Sequence, residues 1–171
     1  MKAAGVILAV AAALAVQTTL APFFVRGTVS VDLVLVAVVY VALTSGPVTG
    51  LFVGTFAGLI QDALSSTGGI IGIGGLAKTI VGFIAGIIGT QFIVTQWLPR
   101  FVVFFFATVL HAVVFIGLYT LLDARTFGTP YAAVAGQGLT NAVVGVVAFQ
   151  LVELLPGAME RRRAARTRLR R

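Results

Sequence analysis

The chain has 171 residues, of which 59% are hydrophobic and only 10% charged, with a mean hydropathy of +1.09. A soluble domain carries about 25% charged residues. A water-soluble fold of this size could not hide so many apolar side chains, so lipid must be the solvent for much of the surface. The length allows one domain, and the absence of cysteine excludes disulfides, thiolate metal sites and a cysteine nucleophile. The formal charge of +7 is concentrated at the C-terminus, in Arg161, Arg162, Arg163, Arg166, Arg168, Arg170 and Arg171.

Residues 3–24 carry no charge, and as a helix they would extend about 33 Å, enough to cross a bilayer core of about 30 Å. Lys2 followed by an alanine-rich run also has the look of a signal peptide, but the apolar stretch continues past a plausible cleavage point. From Val31 to Ala63 a single helix would be about 50 Å long, too long for one crossing. Gly46-Pro47 divides the stretch, because proline disfavours helical geometry at the residue before it. The spacing predicts a short helix over 32–44, a second over 47–62 and an uneven hairpin between them. Residues 65–75 are rich in serine and glycine, which predicts a loop or partly unwound segment before a fourth helix at about 76–94. A fifth helix is expected over 99–122 and a sixth over 131–155, with Pro99 and Pro130 at their starts. Pro156-Gly157 is expected to end the sixth.

This organisation is an all-α integral membrane protein of about six transmembrane helices over residues 1–157, followed by a basic cytoplasmic tail over 158–171 too charged to fold alone. Six crossings put both termini on one side, and the positive-inside rule makes that side the cytoplasm. Lys2, Arg100 and the tail arginines then lie inside, and Arg26 and Arg125 outside. A five-crossing alternative, with Val31–Ala63 as one tilted helix, would put the N-terminus outside.

Gly46, Gly50, Gly54 and Gly58 recur every four residues and so share a helical face. Gly82-x-x-x-Gly86 repeats the device, as do Ala9, Ala13 and Ala11, Ala15. Small residues let helices approach closely in lipid. The face serves either packing within the bundle or docking of a partner. In the second case Gly54→Leu or Gly58→Leu would weaken partner binding while the protein still accumulated in the membrane. Ionisable residues inside a membrane point to function by default. Asp32 reads as an interfacial N-cap of the second helix. Asp62 and Lys78 are read as a pair, because an unpaired charge at that depth is expensive. A substrate or proton site is the alternative. His111, Gln137 and Asn141 could form a small polar pocket, although interhelical hydrogen bonding is the simpler reading. Gln150 adds a further polar group on the sixth helix. No catalytic constellation, metal-ligand cluster or phosphate loop is present in the sequence, and no cofactor is expected. The arginines Arg161, Arg162 and Arg163 read as an orientation signal that also meets anionic lipid, not as a nucleic-acid site.

Val31-Asp32-Leu33-Val34-Leu35, Tyr40, Gly54-x-x-x-Gly58-Leu59-Ile60-Gln61-Asp62 and Gly68-Gly69-Ile70-Ile71-Gly72 occur in an order and spacing that resembles the MreD family of rod shape-determining proteins. Val31 stands where that family often has proline. The resemblance covers nearly the whole chain. It implies that Asp32, Gly54, Gly58, Asp62 and Gly72 shape the fold and a partner surface rather than doing chemistry. It also implies a non-enzymatic scaffold of the elongation machinery for peptidoglycan synthesis, in the inner membrane of rod-shaped bacteria. The partners it implies are a bitopic MreC-like protein and, indirectly, MreB, a SEDS glycosyltransferase and a class B penicillin-binding protein. The family is similar in fold to the S-components of energy-coupling-factor transporters. A small-solute-binding transport subunit is therefore the main alternative function, and a lipid-handling protein a third.

Overall fold

The computed structural model describes residues 3–24, 31–65, 70–92, 96–122 and 131–168, with side chains over 4–19, 31–65, 70–92, 96–122 and 131–154. Lys2, Arg26, Asp123, Arg125 and Arg170–171 lie outside the described residues, as do the side chains of Arg161, Arg162 and Arg163. Six helices run in chain order: α1 Ala3–Phe24, α2 Leu33–Ser45, α3 Pro47–Leu64, α4 Ile73–Gln91, α5 Trp97–Leu121 and α6 Tyr131–Arg168. No strand occurs among the described residues. Four of the helices, α3, α4, α5 and the 131–154 part of α6, are long and apolar enough to cross a membrane.

Helix α2 is the hub. Its sequence is rich in β-branched residues, which favour strands in water, but an apolar surrounding leaves no water to bond its backbone. A helix, which satisfies that backbone within the segment, is the permitted form. It packs on α1, α3, α4, α5 and α6. Val34, Leu35, Val36, Val38, Val39, Val41 and Ala42 are all buried, so most of its surface is covered, with Thr44 near its C-terminal end exposed. The larger core cluster gathers Leu35, Val39, Val81, Ala85, Phe104, Ala142 and Phe149, and a smaller one joins Val34 and Val38 to Leu14 and Ala57.

The expected hairpin is present. Gly46 caps both helices at φ +89°, a left-handed backbone that glycine alone adopts at little cost. Its N–H closes α2 on the Ala42 carbonyl at 2.9 Å, and Pro47 opens α3 at the first helical position, where its missing N–H is not needed. Two expected boundaries differ. Helix α4 begins at Ile73, three residues earlier than the glycines suggested, with Gly72 as a left-handed N-cap and Gly74 and Gly75 inside the first turn. A Cβ at Gly74 would collide with the Asp62 carboxylate, and one at Gly75 would press tightly on Leu59. Helix α6 continues through Pro156-Gly157 to Arg168. Proline removes one backbone bond, and the Ala, Met, Glu and Arg residues that follow are strong helix formers that carry the helix on.

The glycine face is used inside the bundle. α3 and α4 pack back to back. A Cβ added at Gly50 would strike the Gly82 carbonyl, one at Gly54 the Lys78 carbonyl and one at Gly58 the Gly75 Cα; Gly82 and Gly86 meet the Gly50 carbonyl and Pro47 in return. The Thr55 and Thr79 hydroxyls bond across the same seam at 2.8 Å. Gly46 belongs to the turn rather than to this face. Of the two readings of Gly50, Gly54 and Gly58, this geometry supports packing within the bundle, because α4 lies on that surface. Gly54→Leu is expected to destabilise the fold itself by about 3 kcal/mol or more. Thermal unfolding in mild detergent measures this, with loss of membrane accumulation as the cellular readout.

Candidate functional site

Three ionisable residues of the membrane segments, Asp32, Lys78 and His111, meet at the start of α2. Asp32 is 5% exposed and Lys78 3%, and their charged atoms, Nζ and Oδ2, are 2.9 Å apart. The Asp32 Oδ1 caps α2 by accepting from the Leu35 N–H at 2.9 Å, and it also receives the Gln61 amide at 3.4 Å. The Asp32 backbone N–H donates to Asn141 Oδ1 at 2.9 Å, and Asn141 donates onward to the Thr108 hydroxyl at 3.1 Å. Gln17 brackets the same turn, accepting from the Leu33 N–H at 2.6 Å and donating to the Val31 carbonyl at 3.2 Å. The Lys78 ammonium lies 3.2 Å from His111 Nε2. An ammonium can only donate, so Nε2 accepts and the ring proton is on Nδ1.

Each of the six helices thus supplies one end of the same network: Gln17 from α1, Asp32 at the start of α2, Gln61 from α3, Lys78 from α4, Thr108 and His111 from α5, Asn141 from α6. The charges cancel, one carboxylate against one ammonium. Two dry charges separated from water survive only when paired and hydrogen-bonded. From His111 an aromatic ladder climbs α5. The imidazole stacks on Phe115 at 5.8 Å, Phe115 meets Tyr119 at 4.8 Å, and the Tyr119 hydroxyl accepts from the Ile70 N–H at 3.0 Å. The node is thereby tied to the segment that leads into α4.

Several sequence expectations change here. Lys78 pairs with Asp32, not with Asp62. Asp62 instead caps α4 from outside it, its Oδ2 accepting from Gly72 N–H at 2.9 Å and Gly75 N–H at 3.1 Å. A carboxylate at a helix N-terminus meets unpaired N–H groups and the positive end of the dipole, and that position is better satisfied by Asp62 than a second ion pair would be. Asp32 is an N-cap as expected, but a buried one. His111 and Asn141 do share a cluster, joined through Lys78 and Asp32 rather than through Gln137. The Gln137 backbone carbonyl accepts from Thr140, and Gln150 is exposed.

A second polar contact was not anticipated. Arg100, 4% exposed, grips Glu153 with both guanidinium nitrogens, at 3.0 and 2.5 Å. Its guanidinium lies 4.0 Å over the Phe149 ring, which in turn packs edge-on against Tyr40 at 4.7 Å. It clamps the start of α5 to the end of the apolar part of α6. Opposite charges at the matching ends of two antiparallel helices were the signal in the sequence. Among the described residues no group of three or more His, Cys, Asp or Glu could hold a metal ion.

Apolar helices closed around a neutral, buried polar node define an all-α membrane protein whose ionisable groups hold its own fold together. The model of the family described as rod shape-determining protein MreD matches residues 2–155, and the chain belongs to that family, whose role is the determination of rod cell shape. Neither the curated proteins nor the solved structures gave a match.

Removing one partner of a buried ion pair costs about 3–5 kcal/mol, because the other is left uncompensated. Lys78→Met and Asp32→Asn are each expected to lower the thermal stability in detergent by that order, and the double variant to recover part of the loss. In a parallel cycle Asp62→Asn and Lys78→Met should add independently. Strong coupling in the second cycle and none in the first would restore the Asp62–Lys78 pairing.

Proposed function

We propose that the chain is a non-enzymatic scaffold of the bacterial elongation machinery. It would lie in the cytoplasmic membrane with both termini inside and bind the transmembrane helix of an MreC-like bitopic protein. Through that protein it would reach MreB, the SEDS glycosyltransferase and the class B penicillin-binding protein. Family membership carries the reading. The architecture supports it, because the polar side chains within the bundle are engaged with one another (Asp32, Lys78, His111, Thr108 and Asn141) instead of being aimed at a ligand. The arginine-rich C-terminus supports the orientation through the positive-inside rule.

A solute-binding transport subunit needs polar groups converging in a cleft. The clefts between α4 and α5 and between α1 and α3 are lined by apolar side chains alone, and that between α5 and α6 adds only Thr120 and Tyr131. Co-expression of the tagged chain with the MreC-like protein of the same genome is expected to yield a complex that survives size exclusion in mild detergent. A chain that ran alone and bound a water-soluble vitamin in calorimetry would displace the scaffold with the transport subunit.

A further inference from the structure

Glycine inside a helix costs about 1 kcal/mol relative to alanine. On α3 and α4 that cost has a visible return: Gly50, Gly54, Gly58, Gly82, Gly86 and Gly89 each face backbone of another helix too close to admit a Cβ. Gly117, on α5, is different. A Cβ there would meet nothing within 4 Å. Gly117 instead lines an open cleft between α5 and α6 of about 590 Å³, larger than the cleft of about 180 Å³ between α4 and α5 or that of about 320 Å³ between α1 and α3. Val113, Ile116 and Gly117 on α5 face Val134 and Ala135 on α6 across it, with Tyr131 at its mouth. Val113 is 63% exposed and Tyr131 79%, so nothing among the described residues covers the cleft.

We infer that this cleft receives one apolar transmembrane helix of a bitopic partner, with the partner's backbone crossing at Gly117. A fluid acyl chain packs on alanine as well as on glycine and gives no reason for the missing Cβ. A second helix does, since association in lipid depends on close backbone approach at small residues. The groove involves the C-terminal part of α5 and the N-terminal part of α6, which face the outer leaflet in the orientation proposed above. A partner that crosses once and continues into a domain outside the membrane would leave the bilayer beside Tyr131, a residue type that favours the membrane–water boundary. The inference rests on the scaffold reading and names the surface that the partner uses.

The test uses the full chain co-expressed with the MreC-like protein of the same genome. Gly117→Leu is expected to keep the wild-type thermal stability, because its side chain enters open space, while the co-purified partner falls about tenfold or more. The chain lacks cysteine, so Gly117→Cys and Val134→Cys can be oxidised in native membranes against single cysteines placed along the partner helix. Cross-links from these two positions, and none from Phe52→Cys on the far side of the bundle, would establish the groove. If wild-type chain and partner co-purify while Gly117→Leu binds normally and Gly117→Cys does not cross-link, the groove assignment is overturned and the scaffold reading survives. Cross-linking of Gly117→Cys to a second copy of the chain would overturn it in favour of self-association. Loss of a bound phospholipid from Gly117→Leu, with partner binding unchanged, would assign the groove to lipid. A wild-type chain that captures no partner would remove both the scaffold reading and this one.

Discussion

The pairing of Asp32 with Lys78 is the constraint on which the rest of the bundle depends. It follows from the length of α2. Thirteen residues make a helix of about 20 Å, against a bilayer core of about 30 Å. Such a helix cannot reach both surfaces, and here its capped end is buried rather than wet. The cap must be a good acceptor, and an aspartate supplies one, but the carboxylate brings a charge that the interior does not tolerate alone. Lys78 neutralises it, His111 takes a second of the ammonium's three N–H groups, and Asn141 and Gln17 satisfy the backbone on either side. One short helix thus accounts for a polar side chain from each of the others, Gln17, Gln61, Lys78, His111 and Asn141.

The second constraint is steric. Lys78 reaches Asp32 because α4 lies directly against α3, and α4 lies there because glycines on both helices let the two backbones meet along the seam. Placing Lys78 and placing its carbonyl against Gly54 are a single geometric fact. The motif of glycines and the polar node are two aspects of one packing solution.

The fold was largely legible in the sequence. The uncharged stretches located the helices, and Gly46-Pro47 divided α2 from α3 where the structure divides them. The node was only half legible. That Asp32 caps a helix follows from its place before an apolar run, and the need of Lys78 for an acidic partner follows from its depth. Which carboxylate it meets does not follow, because Asp32 and Asp62 both lie at helix ends facing the same side. The choice depends on the competing demand of Gly72 and Gly75 for a cap, which appears only when the chain is folded. The roles of Gln17 and Gln61 were invisible for a similar reason: each is a lone polar residue near a helix end, a common thing in membrane proteins, and only the convergence gives it meaning. The glycines of α3 were legible as a contact face but not as to what they contact, since a small-residue surface is the same whether the helix that covers it belongs to the chain or to another protein.

The burial of most of α2 has a consequence for biogenesis. Residues 33–45 leave the ribosome before the walls that enclose them, and their counter-ion lies a further helix downstream, at Lys78. An unpartnered acid is costly in lipid, so release of α2, α3 and α4 together would let Asp32 enter the bilayer already paired with Lys78.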